Sequence, residues 1–208
     1  MLTVETLVTF VLASALLSFA PGPDNIFVLI QSATHGRKAG AFITLGLCTG
    51  LLVHTAMVVL GVAALIQASE FAFNGLKIVG AGYLCYLAWS AYSAADSELD
   101  ISGVPQLSNL ALYRRGIVMN VTNPKVAIFF LAFLPQFTNS QEGDVSLQMM
   151  LLGWVFILVA LVCFLCIAYL SGFLNRWFRE SAVAQRYLHR AVSVVFVCLA
   201  VKLLFTAV

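Results

Sequence analysis

The feature that most constrains this fold is a break inside the first apolar stretch. Apolar sequence runs from residue 2 to residue 30, and Pro21-Gly22-Pro23-Asp24-Asn25 interrupts it. Proline lacks a backbone N–H and clashes with the preceding turn, which costs about 3 kcal/mol inside a helix. In hydrocarbon, freed backbone groups and a carboxylate are tolerated only where protein buries them or where they line a wet cavity. We therefore predict a broken helix built around a site.

The composition indicates a membrane protein. The chain is 62% hydrophobic and 10% charged, whereas soluble proteins are about 25% charged. A helix needs about 20 apolar residues to cross a bilayer. Six apolar segments qualify, at roughly 2–34, 39–66, 71–94, 116–137, 146–171 and 188–207. We predict an all-α protein of six transmembrane helices in one domain over residues 1–208, surrounded by lipid and without a nucleic-acid partner.

The basic residues predict the orientation. Loops that face the cytoplasm carry an excess of lysine and arginine. The loops after segments one, three and five hold the basic residues, and the other loops hold none. These residues are Arg37, Lys38, Arg114, Arg115, Arg176, Arg179, Arg186 and Arg190. The pattern predicts a multi-pass protein of the cytoplasmic (inner) membrane with both termini outside.

The six segments divide into two halves, at about residues 1–100 and 110–208. Because each half has three spans, the second half enters the membrane from the opposite side, which predicts an inverted repeat. The first span of the second half is also interrupted, at Thr122-Asn123-Pro124-Lys125. Proline-interrupted segments at corresponding positions are the best sequence indication of a transporter binding site.

The two breaks can be aligned residue by residue. The alignment pairs Gly22 with Asn123, Pro23 with Pro124 and Asp24 with Lys125. Proline suits the first position of a helix, and glycine and asparagine suit the cap before it. Each break is therefore predicted to start a new half-helix, whose positive end attracts a substrate carboxylate. The alternative is that both prolines only kink their helices.

Four charged residues fall inside the predicted spans: Asp24, Lys77, Lys125 and Lys202. Charges at this depth cost a few kcal/mol, so each is a functional hypothesis. Lys77 and Lys202 lie near the outer ends of their segments. They either extend to the interface or occupy equivalent places in the two halves and hold anionic groups. Lys125 lies nearer the middle of its span.

Several uncharged or weakly basic residues add to the picture. His54 has no partner at metal-ligand spacing, so it is either a hydrogen-bonded packing residue or a proton or substrate group. Glycines in segments two and three predict close helix packing and leave a homo-oligomer interface open. These glycines are Gly46, Gly50, Gly75, Gly80 and Gly82.

Asp24 and Lys125 follow the two breaks, and a two-fold axis through the midplane would bring them together. Burial favours a neutral carboxyl group, whereas a nearby ammonium favours an ionised one. The pair would then alternate between an ion pair and a protonated Asp24 with Lys125 free for a substrate carboxylate. The alternative is a permanent ion pair that only stabilises the fold.

Two motifs resemble those of a known family. Residues 18–25 with 36–40, and residues 120–125 with 134–137, are similar to the signatures of the lysine exporter family of amino-acid efflux carriers, which includes homoserine/threonine exporters. The resemblance implies an exporter of amino acids or close metabolites that an ion gradient drives. Its functional positions would be Pro21, Gly22, Pro23, Asp24, Asn25, Asn123, Pro124 and Lys125. It does not fix the substrate.

The leading functional prediction is a secondary exporter of small amino acids with proton antiport. A carrier of an inorganic ion or another metabolite is the alternative within transport, although one buried acid and one histidine are poor metal ligands. An intramembrane enzyme would need a nucleophile with its base or a metal motif. A non-transporting scaffold would not need two matched breaks. No cofactor or bound metal is predicted, and the chain lacks a phosphate-binding motif of the ATPase type.

Overall fold

The structure, a computed structural model, describes residues 2–62, 70–93, 104–180 and 182–205, and those residues are helical with short connections. In chain order the helices are α1 (Val4–Phe19), α2 (Pro23–His35), α3 (Arg37–Met57), α4 (Glu70–Ser93), α5 (Asn109–Val121), α6 (Pro124–Ile128), α7 (Val145–Glu180) and α8 (Ala182–Phe205). A π-helical turn, Val58–Val62, follows α3. Another, Phe129–Phe133, and a 3-10 turn, Leu134–Phe137, continue α6. The chain termini, residues 63–66 of the second predicted segment, and the Arg176 and Arg179 side chains lie outside the described part.

Both predicted breaks are present, and both start new helices. The chain turns by 61° between α1 and α2 and by 49° between α5 and α6. Gly22 is the N-cap of α2, with Pro23 as its first residue. Asn123 is the N-cap of α6, with Pro124 as its first residue. The alignment of the two breaks is therefore confirmed at the level of backbone structure.

The described helices provide between three and five membrane spans. Arg37–Gly61, Phe71–Ser93 and Val145–Phe173 are each long and apolar enough to cross a bilayer, and counting each bent pair as one span gives five. The sixth predicted span corresponds to α8, which is not among them. An all-helical membrane fold is thus supported, and six spans in two inverted repeats remain a prediction.

The described residues of the connection between predicted segments five and six are helical. Segment five was expected to end near residue 171, but α7 continues to Glu180 and has 36 residues. At 1.5 Å per residue this is about 54 Å, well beyond the hydrocarbon thickness. The sequence after Gly172 contains no proline, and polar residues at a helix end can remain helical in water. The arginine-rich stretch is therefore largely a helix extension.

Glycines bring α3 and α5 into backbone contact. A Cβ on Gly46 would lie 2.1 Å from the carbonyl oxygen of Tyr113, and one on Gly116 would lie 2.6 Å from that of Ile43. Any larger residue would push the helices apart, so the packing role predicted for Gly46 is confirmed. Gly50 and Gly80 are also tightly packed. Gly75 and Gly82 are exposed on α4 and have no described atom within 4 Å of a Cβ, so a packing role for these two glycines stays a prediction.

Phenylalanine rings fill the core beside the second break. The Phe129 ring centroid lies 4.9 Å from that of Phe133 and 5.2 Å from that of Phe156. Phe10 of α1 contacts both Phe129 and Phe137. The π-helical turn after α6 thus carries side chains that lock it to α1 and α7. π-helical turns inside helices occur frequently at functional sites.

Candidate functional site

A small buried cavity lies where the two breaks meet. Its volume is about 10 Å³, which is room for about one water-sized group. Five segments on α1, α2, α3, α5 and α7 line it together with the start of α6. The lining residues are Leu17, Ser18, Asp24, Leu51, Asn120, Lys125, Val126, Phe156 and Phe164. Polar groups from both halves of the chain therefore face one apolar-walled space.

Asp24 is buried in this site, with only 1% of its surface exposed. Its Oδ2 accepts a hydrogen bond of 2.9 Å from Nδ2 of Asn123, and its Oδ1 has no hydrogen-bond partner. The Oδ1 of Asn123 accepts a 3.0 Å hydrogen bond from the backbone N–H of Lys125. One carboxamide thus connects the carboxylate of the first break to the first turn of α6.

Lys125 is buried and points at the end of α1. Its Nζ donates hydrogen bonds to the carbonyl oxygens of Ala20, at 3.0 Å, and Leu17, at 3.3 Å. The last carbonyls of a helix have no partner within the helix and carry its negative end. A Cβ on Gly22 would lie 3.1 Å from Nζ, so glycine provides the room.

The sequence predicted a direct contact between Lys125 and Asp24, and the structure shows a different arrangement. The ammonium bonds to backbone carbonyls, while the carboxylate bonds to Asn123. The two charged groups nevertheless line the same cavity. The reason for the difference is the break itself, because it leaves carbonyl oxygens that a buried ammonium can satisfy.

Asn25 holds the two halves of the first break together. Its Nδ2 donates a 2.6 Å hydrogen bond to the carbonyl oxygen of Ser18. Asn25 is buried, and its Oδ1 has no hydrogen-bond partner. The turn from α1 to α2 leaves the carbonyl oxygens of Leu17, Ser18 and Ala20 without helical partners. The side chains of Asn25 and Lys125 donate hydrogen bonds to all three.

Asn120 also lines the cavity, although no role was predicted for it from the sequence. Only 1% of its surface is exposed. Neither Nδ2 nor Oδ1 of its carboxamide has a hydrogen-bond partner. Its carbonyl oxygen accepts from Nε2 of His54 and from the backbone N–H of Asn123, both at 3.0 Å. A polar amide in an apolar segment, three residues before the cap of α6, was the available signal.

His54 supports the second break from α3. Besides the bond to Asn120, its ring centroid lies 5.7 Å from that of Phe130, and its Nδ1 has no hydrogen-bond partner. His54 is fully buried and is not among the residues that line the cavity. This position agrees with a hydrogen-bonded packing residue, and a proton or substrate role stays a prediction.

Lys77 and Lys202 lie away from the cavity. Lys77 is buried on α4, which packs against α8, and neither lysine is among the lining residues. The Nζ of Lys202 lies 4.3 Å from the ring centroid of Phe137 and 5.9 Å from that of Phe133. An ammonium over an aromatic face is stabilised by the ring electrons. The structure therefore brings together Asp24, Asn123 and Lys125, but not the two other lysines.

The site is that of a membrane transport protein rather than an enzyme, with broken helices around a buried polar cavity. In the described ranges, no three His, Cys, Asp or Glu side chains are grouped to hold a metal ion. The sequence signature of the LysE type translocators matches residues 15–207. The chain belongs to this family of translocators, and the enzyme alternative is thereby excluded.

Relatives support the assignment over nearly the whole chain. A homoserine/homoserine lactone efflux protein of Salmonella typhi is 33% identical over 179 residues, which is 86% of each chain. The membrane protein YrhP of Bacillus subtilis, described as uncharacterized, is 27% identical over 207 residues, covering 95% of this chain and 98% of its own. An uncharacterized membrane protein of Pseudomonas aeruginosa is 29% identical over 200 residues, or 94% of this chain and 93% of its own. No solved structure matches the chain.

Proposed function

We propose that this translocator is a secondary exporter of small amino acids or close metabolites, and that it exchanges substrate for protons across the cytoplasmic membrane. The observation that carries the proposal is the buried cavity where the two breaks meet, with one carboxylate and one ammonium in its lining. An amino acid carries the complementary pair of charges. The name of the Salmonella relative, a homoserine/homoserine lactone efflux protein, supports small amino acids and close metabolites as the substrate class.

In this proposal Lys125 binds the substrate carboxylate and Asp24 binds the substrate ammonium. The start of α2 adds positive potential, because Gly22 caps it without a side-chain hydrogen bond. The start of α6 contributes less positive potential, because the backbone N–H of Lys125 already donates a hydrogen bond to the side chain of Asn123. Lys202 contributes little to binding of the substrate carboxylate, because its ammonium lies over the rings of Phe133 and Phe137.

The present cavity is too small for an amino acid, so the helices around it must separate during transport. Alternating access in such folds is movement of one repeat or bundle relative to the other around a fixed site. We propose six spans in one domain, arranged as two inverted repeats over about 1–100 and 110–208, with both termini outside. The matching caps at Gly22 and Asn123 and the packing of α4 against α8, the third spans of the two halves, support this arrangement.

Asp24 is the proposed proton carrier. It is buried and lines the cavity, and its Oδ1 has no hydrogen-bond partner, so a substrate ammonium or a proton could bind there, but not both. Mutually exclusive binding at one carboxylate is the requirement for exchanging a proton for a substrate. The function of Asn123 would be to hold this carboxylate through Oδ2 in either state.

Counterflow in liposomes tests the proposed function. Purified protein is reconstituted, and accumulation of radiolabelled amino acids is measured against an excess of the same unlabelled compound inside. We expect at least one small neutral amino acid to exchange, and an imposed pH gradient to drive its net movement. The matching decarboxylated amine should compete poorly because it lacks the group that Lys125 binds. Absence of exchange for every amino acid tested would favour a carrier of another metabolite.

A further inference from the structure

The end of α1 presents an unusual concentration of hydrogen-bond acceptors. The carbonyl oxygens of Leu17 and Ala20 both point at one position, where the Nζ of Lys125 lies. Three further buried oxygens on residues of the same cavity have no hydrogen-bond partner. They are Ser18 Oγ, Asp24 Oδ1 and Asn120 Oδ1. Asn120 also brings an unpaired Nδ2, so the set is rich in acceptors rather than purely accepting.

Such a set suits a group with several N–H donors and a positive charge. Buried polar atoms are normally hydrogen-bonded, so the unpaired oxygens indicate that a donor binds there in another state of the protein. An ammonium has three donors and no acceptor. Lys125 uses two of its donors on the carbonyl oxygens of Leu17 and Ala20. Its side chain comes from the second half of the chain and reaches the end of a helix in the first half.

We propose that the end of α1 is a primary-ammonium site, which Lys125 occupies in this conformation and which the substrate's α-ammonium occupies during transport. The inference rests on the proposed function and adds where the substrate's amino group binds. Lys125 would leave Leu17 and Ala20 when it binds the substrate carboxylate. The substrate ammonium would then donate to the same two carbonyls and to Asp24 Oδ1.

This exchange keeps the buried groups satisfied at each step. One ammonium replaces another, so the carbonyl oxygens are never left without a donor, which would be costly in an apolar interior. It also requires both ends of the substrate. An amine without a carboxylate offers Lys125 no alternative partner and therefore has to compete directly with a tethered ammonium.

Removal of the Lys125 side chain should open this site to a free amine. Lys125→Ala leaves a space beside Gly22, whereas Lys125→Met removes the charge but fills most of the space. Thermal unfolding of each purified variant is measured in ethylammonium chloride, with sodium chloride and tetramethylammonium chloride as controls. Ethylammonium should raise the Tm of Lys125→Ala by roughly 5 to 10 °C at a hundred times its Kd. Lys125→Met and the wild-type protein should show no rise beyond that in sodium chloride.

If Lys125→Ala can be purified only in the presence of ethylammonium, that would be the strongest form of the expected stabilisation. No rescue of Lys125→Ala, or equal stabilisation of Lys125→Met or by tetramethylammonium, would overturn the inference. If the ammonium site is ruled out in this way but the wild-type protein still exchanges amino acids, the proposed transport function still holds.

The wild-type protein provides a second test that does not depend on a variant folding. A transported amino acid is compared with its N,N,N-trimethyl derivative, which keeps the positive charge but has no N–H donor. We expect the derivative to inhibit counterflow at least about tenfold less well, since three hydrogen bonds to the ammonium are lost. Equal inhibition by the two compounds would contradict an ammonium site made of carbonyl oxygens.

Discussion

The two breaks share a sequence pattern but satisfy their backbone groups in different ways. At the second break, Asn123 caps α6 with its own side chain, and His54 bonds the carbonyl oxygen of Asn120. At the first break, Gly22 provides no side-chain cap, and Lys125 of the other half bonds the end of α1. The second break thus has its own side-chain cap and takes one donor, His54, from the first half, whereas the first break has no side-chain cap and takes two hydrogen bonds from Lys125 of the second half.

The two breaks therefore contribute different groups to the cavity where they meet. A glycine cap leaves the space that the Lys125 ammonium occupies, and the bend of 61° exposes the carbonyl oxygens at the end of α1. Asn123 then completes the contact by donating to Asp24. Each break thus supplies one charged side chain to the cavity lining, Asp24 from the first and Lys125 from the second.

The largest effect on this comparison is expected from Asn123→Ala. The change removes the cap of α6, worth about 1 kcal/mol, and leaves the buried Oδ2 of Asp24 without a partner, which costs about 1–3 kcal/mol. We expect the free energy of unfolding to fall by roughly 2–4 kcal/mol and efflux to fall with it. Denaturant unfolding of the purified protein, read against efflux in liposomes, measures both.

Asn139→Ala is the matched control for Asn123→Ala. Asn139 also caps a helical turn, because its Oδ1 accepts from the N–H of Gln141, but it is exposed and is not among the residues that line the cavity. Asn139→Ala should lower the free energy of unfolding by well under half as much as Asn123→Ala does. Similar losses for the two variants would mean that capping alone, and not the bond to Asp24, explains the importance of Asn123.

A smaller effect is expected from Gly50→Ala, which tests Asn120. A Cβ on Gly50 would lie 2.8 Å from both the Cβ and the Oδ1 of Asn120. Overpacking of this kind costs about 1–3 kcal/mol and should displace the Asn120 carboxamide within the cavity. We expect a raised KM for efflux with a smaller change in Tm. Gly82→Ala, on the open side of α4, is the control and should leave the KM unchanged. If Gly50→Ala has the same KM as the wild-type protein, Asn120 does not contribute to substrate binding.

The smallest effect is expected from Lys202→Met. The contact of its ammonium with the rings of Phe133 and Phe137 is worth about 0.5–1 kcal/mol, and methionine also packs well against aromatic rings. We expect the transport rate in liposomes to stay within about twofold of wild type. A loss comparable to that of a Lys125 variant would restore the interpretation that Lys202 holds the substrate carboxylate.

The sequence predicted the breaks well because proline, glycine and capping residues act locally. Pro23 and Pro124 fix where α2 and α6 begin, whatever the rest of the chain does. The partners of Lys125 could not be predicted in the same way. They depend on the distance across the two breaks, and backbone carbonyl oxygens carry no residue-specific signal. Asn120 was missed for a related reason, since its role follows from a cavity that only tertiary packing creates.

We propose that Asp24 exchanges a proton for substrate at the junction of the two breaks, and the variant Asp24→Asn tests this proposal. The substitution keeps an oxygen for Asn123 to bond, so the protein should fold and insert. Asp144→Asn, at an exposed carboxylate that caps α7 through the N–H of Leu147, is the control. Efflux from proteoliposomes is measured with and without a pH gradient. We expect the gradient to accelerate efflux by wild type and Asp144→Asn but not by Asp24→Asn, and gradient-driven efflux by Asp24→Asn equal to that of wild type would contradict the account.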